Sequence, residues 1–368
     1  MENKKTVFFG PFVGEFGWEL LWWQGWVKKV CRTRYKDYHK IACSVSGRHI
    51  FYPDADEFLP IPKWFFEKPV SSRGYITDCW INGWPTPNSS AAELEDVYPR
   101  IQKIIDGFKE RLPEDTEFVF PWMFRNDDEY GKMGMEIPEN PEENSKIIIY
   151  NIAYDKQILE YLNPSKKGME LFKEVYDGNE RLIAIFPRMR KYRRPDKNWE
   201  KDKYNDLIDM LQKKFPYPKI AIFGEPGGAF FADDMPDGCI DLINVNADYR
   251  MDIQCAALKQ SVIAIGSQSG AIDFALASGC DAITWGPASG EKVFLTENFM
   301  KVPMTFIPFQ NPDVSVVVNY VEKMLGHRKL PPIGFEIKKQ AVSKFYRVLP
   351  RIVMKSTTLS RIKKKFSG

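Results

Sequence analysis

The sequence predicts an α/β chain with a Rossmann-type parallel sheet in each half. Three observations predict it. Apolar runs of strand length alternate with stretches at helical spacing along most of the chain. Residues 262–286, VIAIGSQSGAIDFALASGCDAITWG, place a strand, a Gly/Ser turn, a helix and a second strand in one short unit. The length, 368 residues, exceeds an ordinary single domain, and two is the natural division.

In the first half, residues 5–9 form the expected opening strand, followed by the turn GPFVGEFGWE and a helix over about 18–30. Residues 41–45 form a second strand, and the Pro-, Trp- and Ser-rich stretch 51–90 is expected to be irregular. Leu94, Val97, Ile101, Ile104, Ile105 and Phe108 recur at helical spacing, predicting a helix over 92–111. Short strands at 118–121 and 147–150 flank an acidic loop. In the second half the expected strands are 182–186, 219–223, 241–245, 262–265 and 282–285. The helices are 203–214, 251–259, 271–278 and 314–325, and residues 163–180 connect the halves. The expected division is an N-terminal domain over 1–165, a C-terminal domain over 180–330 and a basic amphipathic tail over 335–368.

The content of 44% hydrophobic and 27% charged residues fits a globular chain, and no apolar run is long enough to span a bilayer. The start MENKKTVFFGPFVGEFG breaks its brief apolar stretch with Gly and Pro, which reads as a strand and not a signal peptide. Six scattered cysteines with no CxxC pair argue against a disulfide or zinc framework and for a cytoplasmic setting. The net charge of +3 is uneven: the tail holds ten Lys/Arg and one acid, leaving the body mildly acidic. That pattern does not suit nucleic-acid binding, which spreads positive charge along the folded body. The tail suits contact with an anionic membrane surface, at about 1 kcal/mol per basic residue. Peripheral attachment to the inner face of the membrane is the matching expectation.

Three elements carry candidate chemistry. The first is the turn Ser267, Gln268, Ser269, Gly270, where N–H groups at a helix N-terminus favour a phosphate beyond the carboxyl end of the strand. Serine there also caps a helix whatever the function. The second is FPRMRKYRRPDKNW at 186–199, leaving a strand with Arg188 and Arg190 closest to that end. Each charge-assisted hydrogen bond to a phosphate contributes roughly 1.5–3 kcal/mol, although a basic run is also an ordinary solvated loop. The third is the glycine-rich loop 10–19. Its Glu15 is the candidate general base for an acceptor hydroxyl, and Glu19 reads equally as a first-turn acid favoured by the helix dipole. Gly224 and Glu225, in GEPGG, suit contact with a nucleotide base or ribose. The acidic pairs Asp127-Asp128 and Asp233-Asp234 read as loops, and the histidines at 39, 49 and 327 lack metal-ligand spacing, so no metal site is expected.

In order and spacing these elements resemble the GT-B glycosyltransferases, which implies two Rossmann-like domains facing a cleft. GEFGWEL, with Gly14, Phe16 and Gly17, resembles the acceptor-side loop of the fucosyltransferase-like and heptosyltransferase-like groups. Residues 186–190 with Trp199 resemble the donor-phosphate arginine segment of the protein O-fucosyltransferase type. AIGSQSGAIDFALASG resembles the donor-binding turn and helix of both. There are departures: FPR stands where the fucosyltransferases carry His before the Arg, and Glu15 where the heptosyltransferase loop carries Asp. The resemblance implies inverting, metal-independent transfer from a nucleotide sugar to a hydroxyl of a cell-surface glycan or lipid-linked acceptor, with no cofactor. Glu15 and Arg188 then serve catalysis, and Arg190, Gly224, Glu225, Ser267, Gln268, Ser269 and Gly270 bind the donor. Two other classes stay open: a non-catalytic nucleotide-sugar- or glycan-binding protein on the same fold, and a polysaccharide pyruvyl transferase-like enzyme.

Overall fold

The computed structural model describes residues 4–14, 16–67, 80–81, 84–85, 91–121, 157–190 and 194–326. Glu15, Asp127-Asp128, the expected strand at 147–150, Lys191, Arg193, His327 and the basic tail lie outside the described residues.

The strands are β1 (Thr6–Phe12), β2 (His39–Ser44), β3 (Glu57–Pro60), β4 (Trp80–Ile81), β5 (Trp84–Pro85), β6 (Glu117–Val119), β7 (Leu182–Phe186), β8 (Lys219–Ile222), β9 (Ile240–Asp241), β10 (Ser261–Ser267), β11 (Ala282–Trp285) and β12 (Met304–Ile307). Apart from the antiparallel pair β4 and β5 they form two parallel sheets. The N-terminal sheet runs β3-β2-β1-β6 and the C-terminal sheet β12-β11-β10-β7-β8-β9. Counted within its own half, the second order is 6-5-4-1-2-3, the doubly wound Rossmann order. Its chain reverses direction across the sheet between β7 and β10, the pair where a ligand crevice is expected.

Side-chain alternation explains how helices cover both faces of this sheet. Ile183, Ile185, Ile220, Ile222, Ile263, Ile265 and Ile283 point to one face. There they pack with the helices Lys201–Lys214 and Val314–Leu325. Ala184, Ala221, Ala264 and Ala282 form a register-matched row on the other face. That row of small side chains meets the helices Arg250–Gln260 and Gly270–Ala277. The same apolar cluster continues into the N-terminal domain through Trp22, Trp23, Phe51 and Phe12. Phe16 and Phe51 meet the ring of Phe274, and Trp22 meets Phe299 edge-on.

Several elements differ from expectation. The helix after β1 contains a π-helical turn, Glu19–Trp23, between Phe16–Trp18 and Gln24–Arg32. The stretch expected to be irregular supplies β3, whose pairing with β2 compensates for its short length and its terminal proline. Residues Lys166–Val175 of the expected connection form a helix, capped by the Ser165 hydroxyl accepting from Gly168 N. The helix Ala288–Glu297 and strand β12 complete the second sheet beyond the expected elements.

Candidate functional site

The two sheets bound a cleft of about 730 Å³ between them. From the C-terminal domain it is lined by the loops after β7, β8 and β10, and from the N-terminal domain by Phe16, Gly17 and the segments after β2 and β3. Its described wall carries Arg48, Lys63, Arg188, Arg190, Arg194, Lys197 and Arg250 against two acids, Glu67 and Glu225. A cleft with that balance attracts anions.

Arg188 leaves β7 and is fixed on two sides. The backbone after β7 is laced to the loop after β8: Met189 N donates to Gly228 O at 2.9 Å and Phe230 N to Pro187 O at 2.8 Å. The Arg188 Nη1 donates to Arg194 O at 3.0 Å and to the Asn198 side-chain oxygen. Asn198 also clamps Arg190 by its backbone, accepting from its N–H at 3.0 Å and donating to its carbonyl at 2.8 Å. One amide therefore sets both arginines. Nothing in the basic loop marked Asn198 beforehand; its signal was its place beside Trp199. Trp199 itself is core, buried against Trp285 and Tyr204, with its indole N–H donating to Pro312 O at 3.0 Å.

Across the β7–β10 pair, Phe186 is opposite Gly266, so Arg188 and Gln268 follow at the same level. Gln268, Ser269 and Gly270 line the cleft, and Gly270 opens the helix Gly270–Ala277. Ser269 stands at the N-cap position in extended conformation, but its hydroxyl makes no capping bond. The helix N-terminus therefore keeps N–H groups without a side-chain acceptor. Ser267 is different: it ends β10, is buried beside the Tyr204 phenol and does not reach the cleft wall. The Tyr204 phenol, desolvated by burial, is raised above its ordinary value.

Gly224 and Glu225 line the cleft after β8. Gly224 has φ +141°, and a Cβ there would lie 2.6 Å from Ala229 Cβ, so only glycine fits. Gln254, which sequence reasoning missed, donates to Gly224 O at 2.7 Å and Leu242 O at 2.8 Å, tying this loop to the chain beyond β9. Glu225 lies 3.8 Å from Arg190. Arg250, also missed, lines the same wall; burial lowers its basicity, and the Glu225 charge opposes that shift.

On the opposite wall, Phe16 and Gly17 line the cleft, while Gly14 is buried and does not. Phe16 and Gly17 touch the C-terminal domain: a Cβ on Gly270 would sit 3.0 Å from Phe16 Cδ1 and 3.4 Å from Gly17 Cα. Glu19 opens the π-helical turn and is fully buried. Its carboxylate accepts from Ser44 Oγ, Tyr52 Oη and Arg48 Nη1, each at 2.5 Å. Glu19 does stand in the first turn of its segment, and its carboxylate is engaged by this network at the end of β2.

Near the cleft, polar contacts join the domains. Ser46 Oγ donates to Asp248 at 2.6 Å, and His49 Nε2 lies 3.0 Å from the buried Asp252. Asp252 also accepts from Ser165 N at 2.7 Å and from the Ser165 hydroxyl. Asp234, of the Asp233-Asp234 pair, is paired with Lys201 on the surface. Among the described residues no group of three or more His, Cys, Asp or Glu side chains is placed to hold a metal ion.

No family model and no curated protein matches the chain. Solved structures of similar arrangement include the Escherichia coli heptosyltransferase WaaC with ADP, at 10% identity and TM-score 0.48, covering 87% of this chain and 99% of that one. A glycosyl transferase family 9 protein from Veillonella parvula is similar at 10% identity and TM-score 0.47, covering 89% and 98%. The E. coli ADP-heptose LPS heptosyltransferase II is similar at 12% identity and TM-score 0.46, covering 87% and 98%. At these values the likenesses assign no activity. The architecture is the chain's own: two Rossmann-like domains facing a cleft, the GT-B-like arrangement.

Proposed function

We propose that this chain is a glycosyltransferase that moves a sugar from a nucleotide-sugar donor to a hydroxyl of a cell-surface glycan or lipid-linked acceptor. One observation carries the reading. At the β7–β10 switch point, Arg188 and Arg190 are set by a single amide and converge on a cleft also lined by the N-terminus of the helix Gly270–Ala277. Those groups suit the diphosphate of the donor. Gly224, Glu225 and Arg250 suit its nucleoside, and the opposite wall takes the acceptor.

In the transfer the acceptor oxygen forms a bond to the anomeric carbon as the bond from that carbon to the donor's phosphate oxygen breaks. The electron pair leaves with the diphosphate, and the acceptor proton passes to the general base, for which Glu15 is the candidate. Direct displacement inverts the anomeric centre. The guanidinium groups and the helix terminus supply positive charge to the leaving group, each charge-assisted bond contributing about 1.5–3 kcal/mol. On this reading the reaction proceeds without a divalent metal.

The test is donor turnover. Thermal-shift screening with nucleoside diphosphates and nucleotide sugars identifies the donor, and Arg188→Ala then abolishes transfer while the fold is retained. Full activity in a folded Arg188→Ala protein overturns the assignment. Tight donor binding with neither transfer nor donor hydrolysis replaces it with a binding protein of the same fold.

A further inference from the structure

Arg48 belongs to the N-terminal domain, four residues beyond the end of β2. It is only 8% exposed, yet it lines the cleft. Its guanidinium is held on one edge by the buried Glu19 carboxylate and lies with Cζ 5.2 Å from the centroid of the Phe16 ring. Among the described residues neither Nε nor Nη2 has a protein acceptor, so three of the five N–H donors of a mostly buried cation at the cleft wall have no protein partner. Donors that keep access to the cleft on a cation otherwise withdrawn from water gain more from an added acceptor than they would in open solvent.

Two contacts fix where that acceptor would sit. The segment carrying Arg48 is docked on the other domain. Ser46 bonds Asp248, and Gly47, at φ +84°, passes so close to Ala247 O that a Cβ would lie 2.9 Å from it. Phe16, the ring beneath Arg48, packs directly on Gly270. One aromatic ring therefore separates the guanidinium from the N-terminus of the helix Gly270–Ala277.

We propose that Arg48 is a cross-domain phosphate ligand: its free edge takes an oxygen of the diphosphate held by the C-terminal domain. This rests on the donor reading above. Glu19 is then a positioning residue that holds the fork side-on, with Ser44 and Tyr52 satisfying its other oxygen. Because Arg48 comes from the domain opposite Arg188, the diphosphate bridges the two domains, and loss of Arg48 weakens diphosphate recognition while leaving the nucleoside contacts intact.

The experiment is calorimetric titration of the full chain with UDP, ADP and GDP, and with the nucleoside of whichever diphosphate binds. Arg48→Gln lowers diphosphate affinity about 10- to 100-fold, the range of one charge-assisted bond, and leaves nucleoside affinity unchanged. Arg48→Lys, which keeps the charge without the fork, falls between. Should Arg48→Gln fail to fold with Glu19 left unpaired, the double variant Glu19→Gln/Arg48→Met removes both buried charges and shows the same selective loss. Parent affinity for the diphosphate in a folded Arg48 variant, or equal losses for diphosphate and nucleoside, overturns this proposal and leaves the donor reading standing. A parent protein that binds none of the diphosphates overturns both.

Discussion

Replacing Asn198 by alanine removes the amide that sets both cleft arginines. Two of its bonds go to the Arg190 backbone, at 3.0 and 2.8 Å, and a third receives the Arg188 guanidinium. Each backbone bond contributes about 0.5–1.5 kcal/mol net, so the pair accounts for a stability loss of about 1–3 kcal/mol. Arg188 keeps its bond to Arg194 O but loses the Asn198 oxygen, so part of its ordering shifts to the step of ligand binding. Ordering one rotamer-rich side chain costs about 0.5–1.5 kcal/mol, which converts to a loss of about 2- to 12-fold in diphosphate affinity. Urea unfolding reads the first quantity and calorimetric titration the second. A variant that unfolds at the parent midpoint and binds with parent affinity would refute the clamp.

Two further outcomes are expected. Glu15→Gln lowers transfer by about 10²- to 10⁴-fold with donor affinity kept, whereas Glu67→Gln, at the acid that lines the N-terminal wall of the cleft, changes it only a few-fold; the reverse pattern in steady-state assays moves the base to Glu67. The third perturbation is acid. Burial alone would raise the Asp252 carboxyl, but bonds from His49, the Ser165 hydroxyl and the Ser165 N–H outweigh it and hold the group below its ordinary 3.8. Its contribution is therefore fully present above the unfolded value and is lost as pH falls through the lower folded value. Unfolding free energy measured between pH 6 and 2 falls more steeply below pH 3.8 in the parent than in Asp252→Asn; parallel acid limbs in the two proteins refute the assignment.

Much of the fold was legible because its causes are local. Strands β7 and β11 and the helix Val314–Leu325 fall where apolar runs and helical spacing put them. A fully buried parallel strand reads as an unbroken apolar run, and an amphipathic helix repeats its apolar positions. Strand β3 was not legible. Its sequence, EFLP, carries little periodicity, and its identity comes from pairing with Ile41–Ser44. The π turn was hidden as well, since ELLWW fits any helix of the core.

The sequence by itself determined the two kinds of cleft-lining element: a Gly/Ser turn opening a helix after β10, and arginines following β7. Both are short-range signals, carried by residue type and distance from a strand end. Tertiary structure decided how they combine. The strand order makes β7 and β10 neighbours although 74 residues of chain separate Phe186 from Ser261. It also decided that Ser267 is buried while Ser269 and Gly270 line the cleft: Ser267 is still within β10, whereas Ser269 and Gly270 lie past its end, where the chain turns into the helix. Asn198 owes its place to the loop after β7 folding back on itself, and Arg250 and Gln254 owe theirs to the helix Arg250–Gln260 packing beside the loop after β8. Arg48 and Glu19 owe theirs to a buried charge pair between separate elements, an arrangement that residue spacing along one chain does not encode.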